Sequence, residues 1–90
     1  MQVTIPENVV VRELAGEAVL LHLGTGVYFG LDAVGARIWQ LLAERQDTEA
    51  VLTLLLQEYD VDEFQLRLDL DALIAELIAE QLLIEVESPA

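Results

Sequence analysis

The first third of the chain carries short, β-branched and alternating apolar segments, which are typical of strands. Val9-Val10-Val11 predicts a first strand. Apolar residues alternate between two faces from Glu17 to Leu23, which predicts a second strand, and a third extends from Val27 to Leu31. Ala15-Gly16 and Gly24-Thr25-Gly26 separate these segments as tight turns. Because the connections are short, we expect an antiparallel meander with the second strand in the centre.

The rest of the chain carries apolar residues at helical spacing, and an aspartate that can cap the first amides precedes each helical segment. The predicted helices extend from Asp32 to Arg45-Gln46, from Asp47-Thr48 up to Tyr59, and from about Glu63 to Glu80 or Gln81. The periodicity of Leu82-Leu83-Ile84 fits an extension of the third helix and a short final strand equally well. The apolar side of the first helix comprises Val34, Ile38, Leu41 and Leu42, with Trp39 beside them.

This order of elements predicts an α+β fold, in which a three-stranded antiparallel sheet is followed by a three-helix bundle. All five glycines lie at or before Gly35, which agrees with a turn-rich β segment and a helical remainder. Ninety residues suffice for one small core, so we expect a single domain over residues 1–90. The apolar fraction of 54% excludes a disordered chain.

Charge and composition restrict the class of function. Seventeen acidic residues against four arginines give a net charge of −13, which opposes binding to nucleic acid or to an anionic membrane. The chain has no cysteine and a single histidine, so we expect no metal site, no cofactor and no nucleophilic catalytic centre. It shows neither a signal peptide nor an apolar run long enough to span a membrane. We therefore expect a cytoplasmic binding protein rather than an enzyme.

The third helix is apolar on two sides. One stripe has the spacing of a core face and comprises Leu66, Leu70, Leu73, Ile74 and Leu77. A second stripe comprises Phe64, Leu68, Ala72, Ala75, Ile78 and Ala79, and a polar seam of Gln65, Asp69, Glu76 and Glu80 separates the two. Two interpretations remain open: the helix is central and wholly buried, or part of it lines an open groove with an acidic lip.

The predicted third strand, Val27 to Leu31, carries none of the charges or prolines that usually protect a sheet edge. Phe29 shares a face with Val27 and Leu31, as expected for a core aromatic residue. Tyr28 lies on the opposite face, and its hydroxyl requires water or a polar partner. An edge of this kind can accept a short extended peptide by main-chain pairing.

One stretch of the sequence resembles a known family. The residues that carry the resemblance are Thr25-Gly26-Val27-Tyr28-Phe29-Gly30-Leu31-Asp32, Gly35, and Ile38-Trp39-Gln40-Leu41-Leu42. They are similar to the PqqD-like family of RiPP recognition elements, which bind the leader of a ribosomally synthesised precursor peptide. The resemblance extends from about Val9 to Ile84 and implies a winged helix-turn-helix-like fold.

The resemblance also implies a binding site and partners. In the family, the leader adds as a strand to the third strand and fills the groove against the third helix. Carried over, the site comprises Val27, Tyr28, Phe29, Gly30, Leu66, Asp69, Ala72, Leu73 and Glu76. The expected partners are the leader peptide and, in trans, a leader peptidase or another modifying enzyme. A domain of this length looks most like those of lasso-peptide biosynthesis.

Alternative functions follow from the same observations. A peptide chaperone of quinone-cofactor (PQQ) biosynthesis is one alternative within the family. A winged-helix DNA-binding domain is another, although a recognition helix rich in carboxylates would repel phosphate. The exposed apolar surface on the third helix could also serve a homodimer.

Overall fold

Two small sheets and three helices make up the computed structural model, which describes residues 1–87, so the last three residues of the predicted domain lie outside the described part. The elements are β1 (Gln2–Thr4), β2 (Val9–Leu14), β3 (Glu17–His22), β4 (Tyr28–Leu31), α1 (Ala33–Arg45), α2 (Thr48–Glu58), α3 (Glu63–Ala79) and β5 (Ile84–Val86). Within residues 1–87, no helix is both long and apolar enough to cross a membrane.

The larger sheet confirms the predicted meander. Its strand order is β2-β3-β4, all antiparallel, with β3 in the centre. Alternation along β3 buries Ala18 and Leu20 on one face, where they are cross-strand partners of Leu31 and Phe29 in β4. This face packs on the helices, whereas Val19 and Gly30 oppose each other on the outer face.

The turn between β2 and β3 has only two residues, Ala15 and Gly16, since Leu14 pairs with Glu17. Their φ angles are 53° and 83°, the left-handed values that a two-residue hairpin turn needs to match the twist of its strands. Glycine adopts this conformation freely, but alanine does not. Ala15 therefore holds local strain in an otherwise favourable hairpin.

A second sheet, which the sequence analysis did not predict, joins the two ends of the described chain. β1 pairs antiparallel with β5, with Val3 opposite Glu85. The final segment therefore forms a strand rather than extending α3, and the chain turns at Gln81 with a φ of 62°. Leu82 and Leu83 then enter the core. β1 has only three residues, too few to show a strand periodicity.

The predicted helix starts are confirmed. Asp32 Oδ1 accepts from the Gly35 amide at 2.8 Å, and Asp62 Oδ2 accepts from the Gln65 amide at 2.9 Å. Asp47 caps α2 in the same way: its Oδ1 atom accepts from the Glu49 amide at 3.3 Å. Each carboxylate satisfies one of the amides that the first turn of a helix leaves without a partner.

The apolar side of α1 is mostly buried. In α1, Ile38, Trp39, Leu41 and Leu42 are buried, but Val34, on the same side, is 43% exposed. The core also takes residues from each of the other helices and from the segments at both ends of the described chain.

α3 is not wholly buried, so the interpretation of it as a central helix is wrong. Its core stripe is buried apart from the half-buried Leu73. In the second stripe, Phe64 is 70% exposed and Leu68 is 50% exposed. The rest of the described chain therefore covers only one side of the helix.

We expect Ala15→Asn to stabilise the protein, because asparagine tolerates the left-handed conformation better than alanine. The free energy of unfolding should rise by about 0.5–1 kcal/mol, as measured by urea denaturation. Gly16→Ala is the opposite control and should lower it, because its φ of 83° disfavours any side chain. An unchanged or lower stability of Ala15→Asn would contradict the assignment of strain to this turn.

Candidate functional site

β4 has a hydrogen-bonded neighbour on one edge only, because β3 is its single partner in the sheet of the described chain. The His22 amide donates to the Val27 carbonyl at 3.0 Å. The pair of His22 and Val27 is therefore a hydrogen-bonded one. Because hydrogen-bonded and non-hydrogen-bonded pairs alternate along an antiparallel ladder, the next hydrogen-bonded pairs are those that Phe29 and Leu31 form with β3. The N–H and C=O groups of Tyr28 and Gly30 therefore point to the other, unpaired edge.

A groove of about 680 Å³ lies next to this edge. Three elements line it: β4, the start of α1 and the middle of α3. The lining residues are Phe29, Gly30, Leu31, Asp32, Val34, Gly35, Ile38, Asp69, Leu73 and Glu76. We call this space the β4–α3 groove.

The floor of the β4–α3 groove is apolar. Leu31 and Ile38 are 6% and 4% exposed, so they belong to the core and present only a small surface to the groove. Phe29, Val34 and Leu73 are more exposed and offer most of the apolar contact. An extended peptide at the edge of β4 would find apolar contacts for the side chains that it directs inward.

Carboxylates form the rim of the β4–α3 groove. Asp69 and Glu76 lie on α3 and are exposed, and Asp32 caps α1 at the end of β4. Gln65 donates a hydrogen bond to Asp69 Oδ1 at 2.9 Å, which leaves the second carboxylate oxygen available. The lining contains no basic residue, so the rim favours a cationic group on a ligand.

The strongest ion pairs lie elsewhere and join helices to each other. Arg37 binds Glu58 through two hydrogen bonds of 2.8 and 2.7 Å, and Arg67 binds Glu49 at 2.8 Å. The hydrogen bond from each arginine lowers the pKa of its glutamate partner below the ordinary value. Both pairs are accessible to solvent, so we assign them to helix docking with a small contribution to stability.

Within residues 1–87, no three side chains of histidine, aspartate or glutamate come together as a metal-binding cluster. His22, the single histidine, is buried and hydrogen-bonded to the loop before β4 rather than exposed in the groove.

The structure brings together five of the nine residues expected in the site. Those lining the β4–α3 groove are Phe29, Gly30, Asp69, Leu73 and Glu76. The other four do not line it. Tyr28 is 72% exposed on the outer face of the sheet, Leu66 is buried in the core, and Ala72 lies exposed on α3. Val27 precedes β4, and its carbonyl accepts a hydrogen bond from the His22 amide.

Five groove residues were missing from the expected site, and a signal for four of them was present in the sequence. Four of them belong to the stretch that carries the family resemblance, but that stretch was used to predict the fold and not the lining of the site. These residues are Leu31, Asp32, Gly35 and Ile38. Val34 has the same spacing as the buried side of α1. Periodicity does not distinguish an apolar residue that lines a groove from one in the core.

Comparison with known proteins gives one matching family. The family model described as coenzyme PQQ synthesis protein D (PqqD) matches residues 17–83. The match includes β3, β4 and all three helices, and hence every residue that lines the β4–α3 groove. None of the curated proteins compared with the chain matches it.

Two solved structures share the fold. The first, "TbiB1 in Complex with the TbiA(beta) Leader Peptide", is 41% identical with a TM-score of 0.86, and the alignment covers 94% of this chain and 99% of that one. The second, "Lasso peptide synthetase B1 complexed with the leader peptide", is 24% identical with a TM-score of 0.82, covering 94% and 100%. At that lower identity, the second comparison shows the fold alone.

Proposed function

The chain belongs to the PqqD family, and on that basis we propose that it is a non-catalytic adaptor that binds the leader segment of a ribosomal precursor peptide. The unpaired edge of β4 beside the β4–α3 groove is the observation that carries this proposal. The likeness to TbiB1, whose structure contains a leader peptide, supports it. We place the function in lasso-peptide biosynthesis on the same likeness.

The leader binds as an additional strand. Its backbone pairs with the outward N–H and C=O groups of Tyr28 and Gly30, which fixes its register. Side chains alternate along a strand, so every second leader residue enters the β4–α3 groove towards Phe29 and Leu73. The residues between them lie on the outer face of the sheet, next to the exposed ring of Tyr28.

The groove selects leader side chains by shape and charge. Apolar side chains of the leader are buried against Phe29, Val34 and Leu73, which supplies most of the binding free energy. Asp69 and Glu76 at the rim pair with a basic residue of the leader and disfavour an acidic one. These carboxylates therefore contribute mainly to specificity.

Binding the leader places the rest of the precursor close to the enzyme that modifies it. We propose that this enzyme, a leader peptidase or another modifying enzyme, acts in trans in the cytoplasm, and that the whole chain, residues 1–90, is one leader-binding domain. The adaptor then acts by raising the effective concentration of the precursor near the active site. A homodimer is the alternative, in which a second copy of the chain would cover part of the exposed surface of α3. Light scattering distinguishes a monomer from this dimer.

A peptide chaperone of PQQ biosynthesis is the second candidate, and the description of the matching family favours it. It uses the same edge and groove for a different precursor. DNA binding is disfavoured, because α3 presents Asp69, Asp71 and Glu76 while its single arginine, Arg67, is engaged by Glu49. Such a helix repels a phosphate backbone.

Calorimetric titration with leader peptides tests the proposal. The probes are the TbiA(beta) leader and a PQQ-pathway precursor, with a scrambled TbiA(beta) leader as the control. We expect saturable binding of the TbiA(beta) leader and no binding of the scrambled peptide. Absence of binding by both probes at about 100 μM would contradict leader recognition, because main-chain pairing together with a filled groove should give a Kd below that concentration.

We expect Gly30→Pro to weaken leader binding strongly and to leave the fold intact. Proline removes the N–H that points to the unpaired edge, and edge strands tolerate proline at such positions. Leader affinity should fall by about tenfold or more, as measured by calorimetry, with an unchanged circular dichroism spectrum.

Gly30→Ala is the matched control for this variant, because it keeps the N–H and its Cβ has no atom within 4 Å. It should bind the leader with nearly the affinity of the original protein. Equal leader binding by Gly30→Pro and Gly30→Ala would rule out main-chain pairing along this edge.

We expect Leu73→Asp to weaken leader binding, because it places a charge in the apolar part of the β4–α3 groove. Leu68→Asp, on the same helix but outside the groove, introduces the same charge at an exposed position. Leader affinity should fall by about tenfold or more in the first variant and by less than about twofold in the second. Equal effects would mean that net charge, rather than the groove, governs binding.

A further inference from the structure

His22 is a buried polar side chain that the proposed mode of leader binding does not use. It lies at the end of β3 and is 6% exposed, on the same face of the sheet as the buried Leu20. Burial of an imidazole is unfavourable unless its polar atoms are hydrogen-bonded, so a buried histidine in this position requires a structural reason.

The imidazole accepts two hydrogen bonds from the loop that leads into β4. Its Nδ1 atom accepts from the Gly24 amide at 3.1 Å and from the Thr25 amide at 3.0 Å. An imidazole nitrogen that accepts in this way presents its lone pair to the two amides. Neither of these amides pairs with a strand, and Nδ1 satisfies both.

The backbone of His22 holds the same loop from the other side. Its amide donates to the Val27 carbonyl at 3.0 Å, and its carbonyl accepts from the Gly26 amide at 2.8 Å. One residue therefore makes four hydrogen bonds to residues 24–27. The loop ends at Val27, immediately before the first outward-pointing backbone groups of β4.

Gly24 shows how closely the ring packs on the loop. A Cβ atom at this position would lie 3.0 Å from Cε1 of His22 and 3.1 Å from Nδ2 of Asn8. A residue with a side chain would therefore push the imidazole or the loop away. Ring and loop therefore pack closely together in front of β4.

From this geometry we infer that His22 is a positioning residue for leader binding: its Nδ1 atom fixes the loop of residues 23–27 and thereby the start of the unpaired edge of β4. The inference rests on the proposed function. An incoming strand pairs in register only with backbone groups that are already in place, and a rigid loop removes the entropic cost of ordering them at binding.

Three substitutions at His22 separate the acceptor atom from the volume of the ring. In His22→Asn the side-chain oxygen is attached to Cγ, as Nδ1 is in histidine, so it can accept from Gly24 and Thr25. In His22→Gln the oxygen lies one bond further along the chain and does not reach the position of Nδ1. His22→Ala removes the acceptor entirely.

The experiment measures two quantities for each variant: hydrogen exchange of the Gly24 and Thr25 amides in the free protein, and affinity for the TbiA(beta) leader. We expect His22→Ala and His22→Gln to lose protection at both amides and to bind the leader about tenfold more weakly. His22→Asn should keep the protection and remain within about threefold of the original affinity.

Each contrary result has a distinct meaning. If His22→Gln is folded, loses protection at the two amides and still binds the leader as the original protein does, the positioning role is wrong and the proposed function stands. If His22→Asn is as impaired as His22→Ala, the ring rather than its acceptor atom matters, and the inference is again wrong. If the original protein does not bind the TbiA(beta) leader, the proposed function fails and the inference fails with it.

Discussion

The unpaired edge of β4 is the constraint on which the rest of the site depends. A three-stranded sheet leaves two edge strands, and β4 is the one that lies beside α3. If α3 packed directly against β4, the groove would close and the backbone groups of Tyr28 and Gly30 would be shielded. The polar side chains of Asp69 and Glu76 oppose such closure, because burial would remove their hydration.

Most of the fold could be predicted because local signals agree with the tertiary structure. The alternation of β3, the caps at Asp32 and Asp62, and the short turn at Ala15-Gly16 all depend on neighbours in sequence. β1 could not be predicted, because its three residues form a strand only when β5 provides a partner 80 to 84 residues away. Long-range pairing of this kind leaves no periodicity in either segment.

The site was harder to predict than the fold for a related reason. A groove is a space between elements, so it depends on the distance between β4 and α3 and not on the pattern within either of them. Val34 and Leu66 illustrate this: both match the spacing of an apolar face, but Val34 is at the groove mouth and Leu66 is buried. On α3, the polar seam with Leu73, and not the second apolar stripe, faces the groove.

The distribution of charge fits a peptide ligand better than a polyanion. Arg37 and Arg67 pair with glutamates on neighbouring helices, so these two cations serve to dock helices. The carboxylates of α3 that face the groove have no such cationic partner in its lining. A ligand at the edge of β4 must therefore bring its own positive charge or rely on apolar contact and main-chain pairing. An extended peptide can supply all three interactions. Its backbone pairs with the edge of β4, its apolar side chains contact the apolar lining, and its basic side chains pair with the carboxylates.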